Sequence, residues 1–204
     1  MNHLEMKCSP HALKASLFVG FLASSACSAL DTFEEVIADE AVIPANRSSQ
    51  TPFEPSFANS FNAIDLSKSS GFDRNDVKPS DVDAIFVRRI HVSMSVGLNS
   101  PDTLNRLDHA FESMLFYVEA DGQDRRTIAQ LPIPEANSTA GGAVMPATAA
   151  VDLPVDTTLN LKPFVLAPNM RMGTELILKA DRPPFDITLK AEVTLLIDIN
   201  LLGT

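Results

Sequence analysis

The chain has 204 residues, 45% of them hydrophobic and 21% charged, with a formal net charge of -10. That length suits one domain with a core of its own, and that composition belongs neither to a disordered chain nor to one that spans a membrane throughout. So acidic a surface repels phosphate backbones and, with no basic stripe, excludes nucleic acid as a partner and disfavours broad adsorption on anionic lipid.

From Met6 onward, Lys7 and Lys14 are the only charges before a largely apolar run from Ala15 to Ala23, centred on Leu17, Phe18, Val19, Gly20, Phe21 and Leu22. The run is well short of the ~20 residues a helix needs to cross a bilayer, so it reads as a cleavable signal rather than a permanent span. Small residues follow, Ala23, Ser24, Ser25 and Ala26, and then Cys27.

A charged start, a short apolar core, small residues and a cysteine resemble the lipobox signal of bacterial lipoproteins. The resemblance implies that residues 1–26 are removed after Ala26, and that Cys27 carries a diacylglyceryl thioether and an acylated amino terminus, palmitate-type chains holding the protein at a membrane. The family prefers Leu three residues before the cysteine; this chain has Ser24 there, with Leu22 displaced by two. Ser28, where an Asp would favour the inner membrane, implies the outer membrane in a host that has one. The alternative is an ordinary signal that releases a secreted protein. The only two cysteines, Cys8 and Cys27, precede everything else, so the remainder has no disulfide framework and no cysteine-based metal site.

Residues 27–60 mix acids with Pro44, Pro52 and Pro55 and many Ser and Asn, without sustained periodicity, which predicts a lipidated terminus followed by a flexible tether. Residues 61–204 then alternate with a period of two and form the predicted domain. Strands are expected at Ala63 to Ser67 and at Ile85 to Val96, where the phase of Ile85 and Val87 reverses across Arg88 and Arg89 and marks a bulge. Ser100, Pro101 and Asp102 start one short helix carrying Leu104, Leu107 and Phe111. A strand at Met114 to Ala120, turn chemistry at Asp121, Gly122, Gln123 and Asp124, and a return at Thr127 to Leu131 make a hairpin. Pro132, Pro134, Gly141 and Gly142 mark an exposed loop, with further strands at Thr148 to Leu153 and Thr174 to Ala180.

The clearest strand runs from Asp186 to Asn200. Ile187, Leu189, Ala191, Val193, Leu195, Ile197 and Ile199 share one face, and only Leu196 interrupts the polar one. So long a strand is expected to bend or bulge and to serve two neighbours. About seven strands without β-α-β alternation predict an all-β, antiparallel, immunoglobulin-like sandwich, with a closed barrel as the alternative. Asp81 to Gln130 and Leu159 to Val165 also resemble uncharacterised bacterial β-sandwich envelope proteins, a likeness that implies no activity.

The body offers little catalytic chemistry. His91 on the polar face of its strand and His109 beside Asp108 and near Glu112 read as solvated or ion-paired surface histidines rather than ligands. Asp73, Asn75, Asp76, Asp81 and Asp83 crowd one stretch but lack the central Gly and closing Glu of the helix-loop-helix calcium motif, and solvated acids are the preferred reading. Glu119, Asp121 and Asp124 gather at the hairpin. No nucleophile elbow, zinc-protease or phosphate-loop motif occurs. The expectation is a non-enzymatic, membrane-anchored envelope lipoprotein with a structural or protein-binding sandwich, without cofactor or metal. A carrier of an apolar ligand and a hydrolase of unrecognised type are the alternatives.

Overall fold

The computed structural model describes residues 32–47, 51–57, 70–75, 77–97, 102–132, 144–182 and 184–199. All of them belong to the compact unit Asp31–Thr204. The strands are β1 (Thr32–Ile43), β2 (Val82–Val96), β3 (Phe111–Ala120), β4 (Gln123–Leu131), β5 (Ala150–Leu153), β6 (Arg171–Leu178) and β7 (Ile187–Ile199). They form two sheets, β1-β7-β2-β5 and β4-β3-β6, and every pairing is antiparallel. Side chains from both sheets meet in one apolar core. The expected antiparallel all-β sandwich of about seven strands is what the chain builds.

Its connections differ from those of immunoglobulin domains, where the first strand lies beside the second. Here β1 lies beside β7. The pairs nest like one long hairpin: β3 with β4, β2 with β5, Phe53 bridged to Leu176 on β6, and β1 with β7. Successive legs of this ribbon fall in alternate sheets, which is the jelly-roll scheme. The likeness to immunoglobulin domains is therefore one of layers, not of path.

β7 forms as its alternation predicts. Leu189, Val193 and Ile197 are fully buried and Leu195 nearly so, whereas Lys190 is exposed and Glu192, Thr194 and Leu196 are half-buried. A buried aliphatic side chain contributes roughly 1.5 to 3 kcal/mol, so this one strand is a large part of the core. It serves two neighbours, β1 and β2, and itself runs unbroken. The irregularities fall on β2, with register shifts between Val82 and Ala84 and between Val87 and Arg89. The second is the expected bulge. It turns two successive side chains outward and fans them apart, Arg88 to Glu34 on β1 at 3.2 Å and Arg89 to Asp152 on β5 at 2.8 Å.

The tether reading is corrected at its centre. Residues Thr32–Ile43 form a strand paired with β7 along its whole length, and Phe53 exchanges two backbone hydrogen bonds with Leu176. Acids stand on both faces of β1, which hides its period. The inward Glu35 accepts the Gly71 N–H at 3.1 Å, and Phe33 packs edge-on against Phe72 at 5.5 Å, so α1 (Ser70–Asn75) closes over this end of the sandwich. The expected strand at Ala63 to Ser67 lies outside the described residues, as do Pro134, Gly141, Gly142 and Asn200.

The single short helix is also corrected. A 3-10 turn at Asp102–Leu104 is separated from the one-turn α2 (Leu107–Ala110) by Arg106 in extended conformation, and Phe111 is already the first, fully buried residue of β3. With α1 and α3 (Lys162–Val165) the described residues hold three short helices. The β3–β4 loop is tighter than expected: Ala120 pairs with Gln123, leaving Asp121 and Gly122 as the turn, with Gly122 at φ 74°.

Candidate functional site

Cys27 and Ala26 lie outside the described residues. Among the described ones, polar side chains gather in three places, and a different physical cause assembles each.

The first covers the outer face of the three-stranded sheet. Tyr117 faces away from the core yet is fully buried. On β6 its neighbour is Gly173, and a Cβ there would collide with the phenol ring. The missing side chain lets Tyr117 lie across β6 to the segment bridged at Phe53, where its hydroxyl donates to Glu54 Oε1 at 2.5 Å. Arg125 stacks over the ring at 3.4 Å and pairs with Glu175 at 2.6 Å. Arg171 donates through Nη1 to Glu54 at 2.9 Å and through Nε to Glu119 at 2.5 Å. Burial pushes the phenol well above its ordinary pKa, reinforced by the hydrogen bond to Glu54 and by that carboxylate's charge. Burial also works to raise the Glu54 carboxyl, but the bonds from Tyr117 and Arg171 and the two arginine charges outweigh it, and the net shift is downward.

The second lies on the outer face of the four-stranded sheet. His91 Nδ1 stands 2.7 Å from Asp152 Oδ1, the oxygen that Arg89 Nε also reaches, and the His91 side chain is 31% exposed. The histidine bond and then the arginine bond hold the Asp152 carboxyl below the usual carboxylate range. His91 is thus a partnered surface histidine.

The third is a cavity of about 330 Å³ at the end of the sandwich where β1 finishes. Leu104 and Pro184 form apolar walls; Asp108, His109, Lys179, Asp181 and Arg182 supply the charged ones. Asp108 is held by Arg106 through two bonds, at 3.0 and 2.7 Å, rather than by His109. Arg182 Nη2 donates to the carbonyls of Pro44, Ala45 and Arg47, at 3.0, 2.8 and 3.1 Å, and so fixes the chain leaving β1. Its Nη1 is buried and has no hydrogen-bond partner among the described residues.

The acidic stretch does not converge. Asp81 caps its own 3-10 turn by accepting from the Lys78 N–H and Ser80, Asp76 lies outside the described residues, and among those described no three metal-ligating side chains form a group. At the hairpin, Glu119 is taken by Arg171 and Asp121 accepts from Asn169 at 2.6 Å. Sequence reasoning missed Tyr117 and Arg182 as organising residues. The signal for Tyr117 was a glycine inside a strand, which marks a close approach; for Arg182, in an Asp-Arg-Pro-Pro turn, no local signal exists.

No protein-family model and no curated protein matches the chain. Among solved structures it shows similarity to a chain described as Desmodium yellow mottle tymovirus, at 12% identity and a TM-score of 0.24, covering 100% of this chain and 98% of that one. A TM-score of that size establishes no shared fold.

Proposed function

We propose that the protein is a lipid-anchored component of a bacterial cell envelope, attached through Cys27, whose β-sandwich is a non-catalytic structural or protein-binding module. The observation that carries the reading is the succession from Lys7 and Lys14 through the apolar run to Ala26 and Cys27. The compact unit begins at Asp31, so cleavage after Ala26 takes nothing from it. Several acyl chains on one cysteine give durable attachment, at about 0.8 kcal/mol per buried methylene. The non-catalytic part rests on mutual satisfaction of the polar groups: Asp152, Glu54, Glu119, Glu175 and Asp108 are each committed to arginine. With β1 starting at Thr32, only residues 28–31 separate the anchor from the sandwich, five Cα–Cα steps that reach at most about 18 Å. The domain is then held against the lipid surface rather than at the end of a long tether. Ser28 favours the outer membrane.

Metabolic labelling with palmitate tests this. Label should enter the wild type and not Cys27→Ala, and the variant should leave the membrane fraction. Equal labelling of both, or label in neither, contradicts the anchor.

A further inference from the structure

We infer that residues 163–168, the turn that closes the sandwich at the end where β1 begins, form a second membrane contact, with Leu166 and its proline neighbours entering the lipid surface to which Cys27 is tied. The inference rests on the lipid-anchor reading and adds to it which end of the domain meets the lipid, and through which side chains.

The register of the four-stranded sheet puts the turn at that end. Thr32 stands beside Asp198 on β7, and Asp198 beside Ala84 near the start of β2. Further in, Glu34, Leu196 and Phe86 lie side by side, and Phe86 bridges to Asn160. The Leu161 N–H then donates to the Ile85 carbonyl at 2.7 Å, and α3 follows at once. From β1 to Asn160 is three strand spacings, roughly 14 Å. The chain between Cys27 and Thr32 reaches at most about 18 Å. The lipid surface therefore passes close to both, and a protein partner seated on the turn would have to fit into that gap.

The turn itself suits an apolar surface. Residues 163–168 read Pro-Phe-Val-Leu-Ala-Pro, with no polar side chain. Only Phe164 is buried; Pro163, Leu166 and Pro168 are exposed, and Val165 and Ala167 are half-buried. Leu166, 61% exposed, is the only exposed leucine among the described residues. One exposed leucine is ordinary, whereas an unbroken apolar run that surfaces at five of its six positions is not. Its backbone donors are also spent. The N–H groups of Phe164 and Val165 donate to Leu161, that of Leu166 to Lys162 and that of Ala167 to Phe164, all at 3.0 to 3.1 Å, and Pro163 and Pro168 have none. Unmet backbone donors are what keeps most turns out of lipid, and this one carries none. Phe164, Leu161 and Met170 root it in the core, and its Pro168 carbonyl accepts the Asp121 N–H at 3.0 Å. Lys162 and Asn169 flank it with the polar atoms that headgroups require. Asp121 beside the turn and the net charge of -10 oppose anionic lipid, so apolar insertion into zwitterionic lipid, not charge, makes the contact.

The chain has no tryptophan, so an introduced one reports its own surroundings. The full-length lipoprotein carrying Leu166→Trp is reconstituted in phosphatidylcholine vesicles, either ordinary or brominated in the upper acyl chain. The comparison is Val42→Trp, also at an exposed apolar position but ten residues along β1 from Thr32, roughly 33 Å away. Flotation with the vesicles reads the anchor, and quenching reads the turn. In protein that floats, Leu166→Trp emission should fall by about half or more in brominated lipid, an interfacial apolar side chain lying ~5 to 10 Å into the headgroup–acyl boundary, while Val42→Trp stays unchanged. Pro163→Trp repeats the measurement on the same turn if Leu166→Trp melts below the wild type. Floating protein in which neither turn position is quenched, or in which Val42→Trp is quenched equally, overturns the second contact and leaves the anchor standing. Protein that does not float overturns the anchor and the contact with it.

Discussion

The two sheets treat their outer faces differently. On the four-stranded sheet the outward side chains of β7, such as Lys190 and Thr194, stay open to solvent or half-covered, and the inward set alone is buried. On the three-stranded sheet β3 buries Phe116, Tyr117 and Val118 in succession, because Arg125, Arg171 and Glu54 close over Tyr117 from β4, β6 and the Phe53 segment. An inward face is determined by a strand's own alternation. Whether the outward face is also covered is decided by chain far away in sequence, and here by the one strand position, Gly173, that leaves room.

The comparison predicts unequal costs. The largest belongs to the inward face of β7: Leu195→Ala should cost ~2 to 5 kcal/mol, whereas Thr194→Ala, one residue earlier, should stay within about 0.5 kcal/mol. Denaturant titration of the two variants checks this, and similar losses for both would mean that β7 is covered on both faces. Next comes Gly173→Ala. Its methyl group occupies the space of the Tyr117 ring, and a loss of roughly 1 to 3 kcal/mol is expected from overpacking. A neutral effect would show that the ring does not lie over β6.

What was legible follows the same division. β7 and the Arg88–Arg89 bulge were readable because one face is uniformly apolar and a phase reversal is a local feature. β1 was not, because Glu35 and Asp39 sit on its inward side while Val36 and Val42 face out, exposed at 58% and 59%. An edge strand whose first half packs on α1 need not alternate cleanly. The hairpin acids were visible as a cluster, but their partner Arg171 lies about fifty residues on, and only the β3–β6 pairing brings it to Glu119. The cavity at Arg182 joins three separate stretches of chain, and no spacing in the sequence announces it.

The most specific signal comes from pH. Folding raises the phenol, so its contribution is complete below about pH 10 and is lost as pH climbs through the folded value. Folding lowers the Glu54 carboxyl, so that contribution is present above the ordinary Glu value and is lost as pH falls through the folded one. Both groups belong to one network, and Tyr117 is the only tyrosine in a chain without tryptophan. Its ionisation can therefore be followed directly by ultraviolet absorbance, with no competing chromophore. A midpoint clearly above the ordinary value of about 10, shifted downward in Glu54→Gln, is the predicted result. A wild-type midpoint near 10, unmoved by Glu54→Gln, would mean that the outer face of the three-stranded sheet stands open, and would contradict the account.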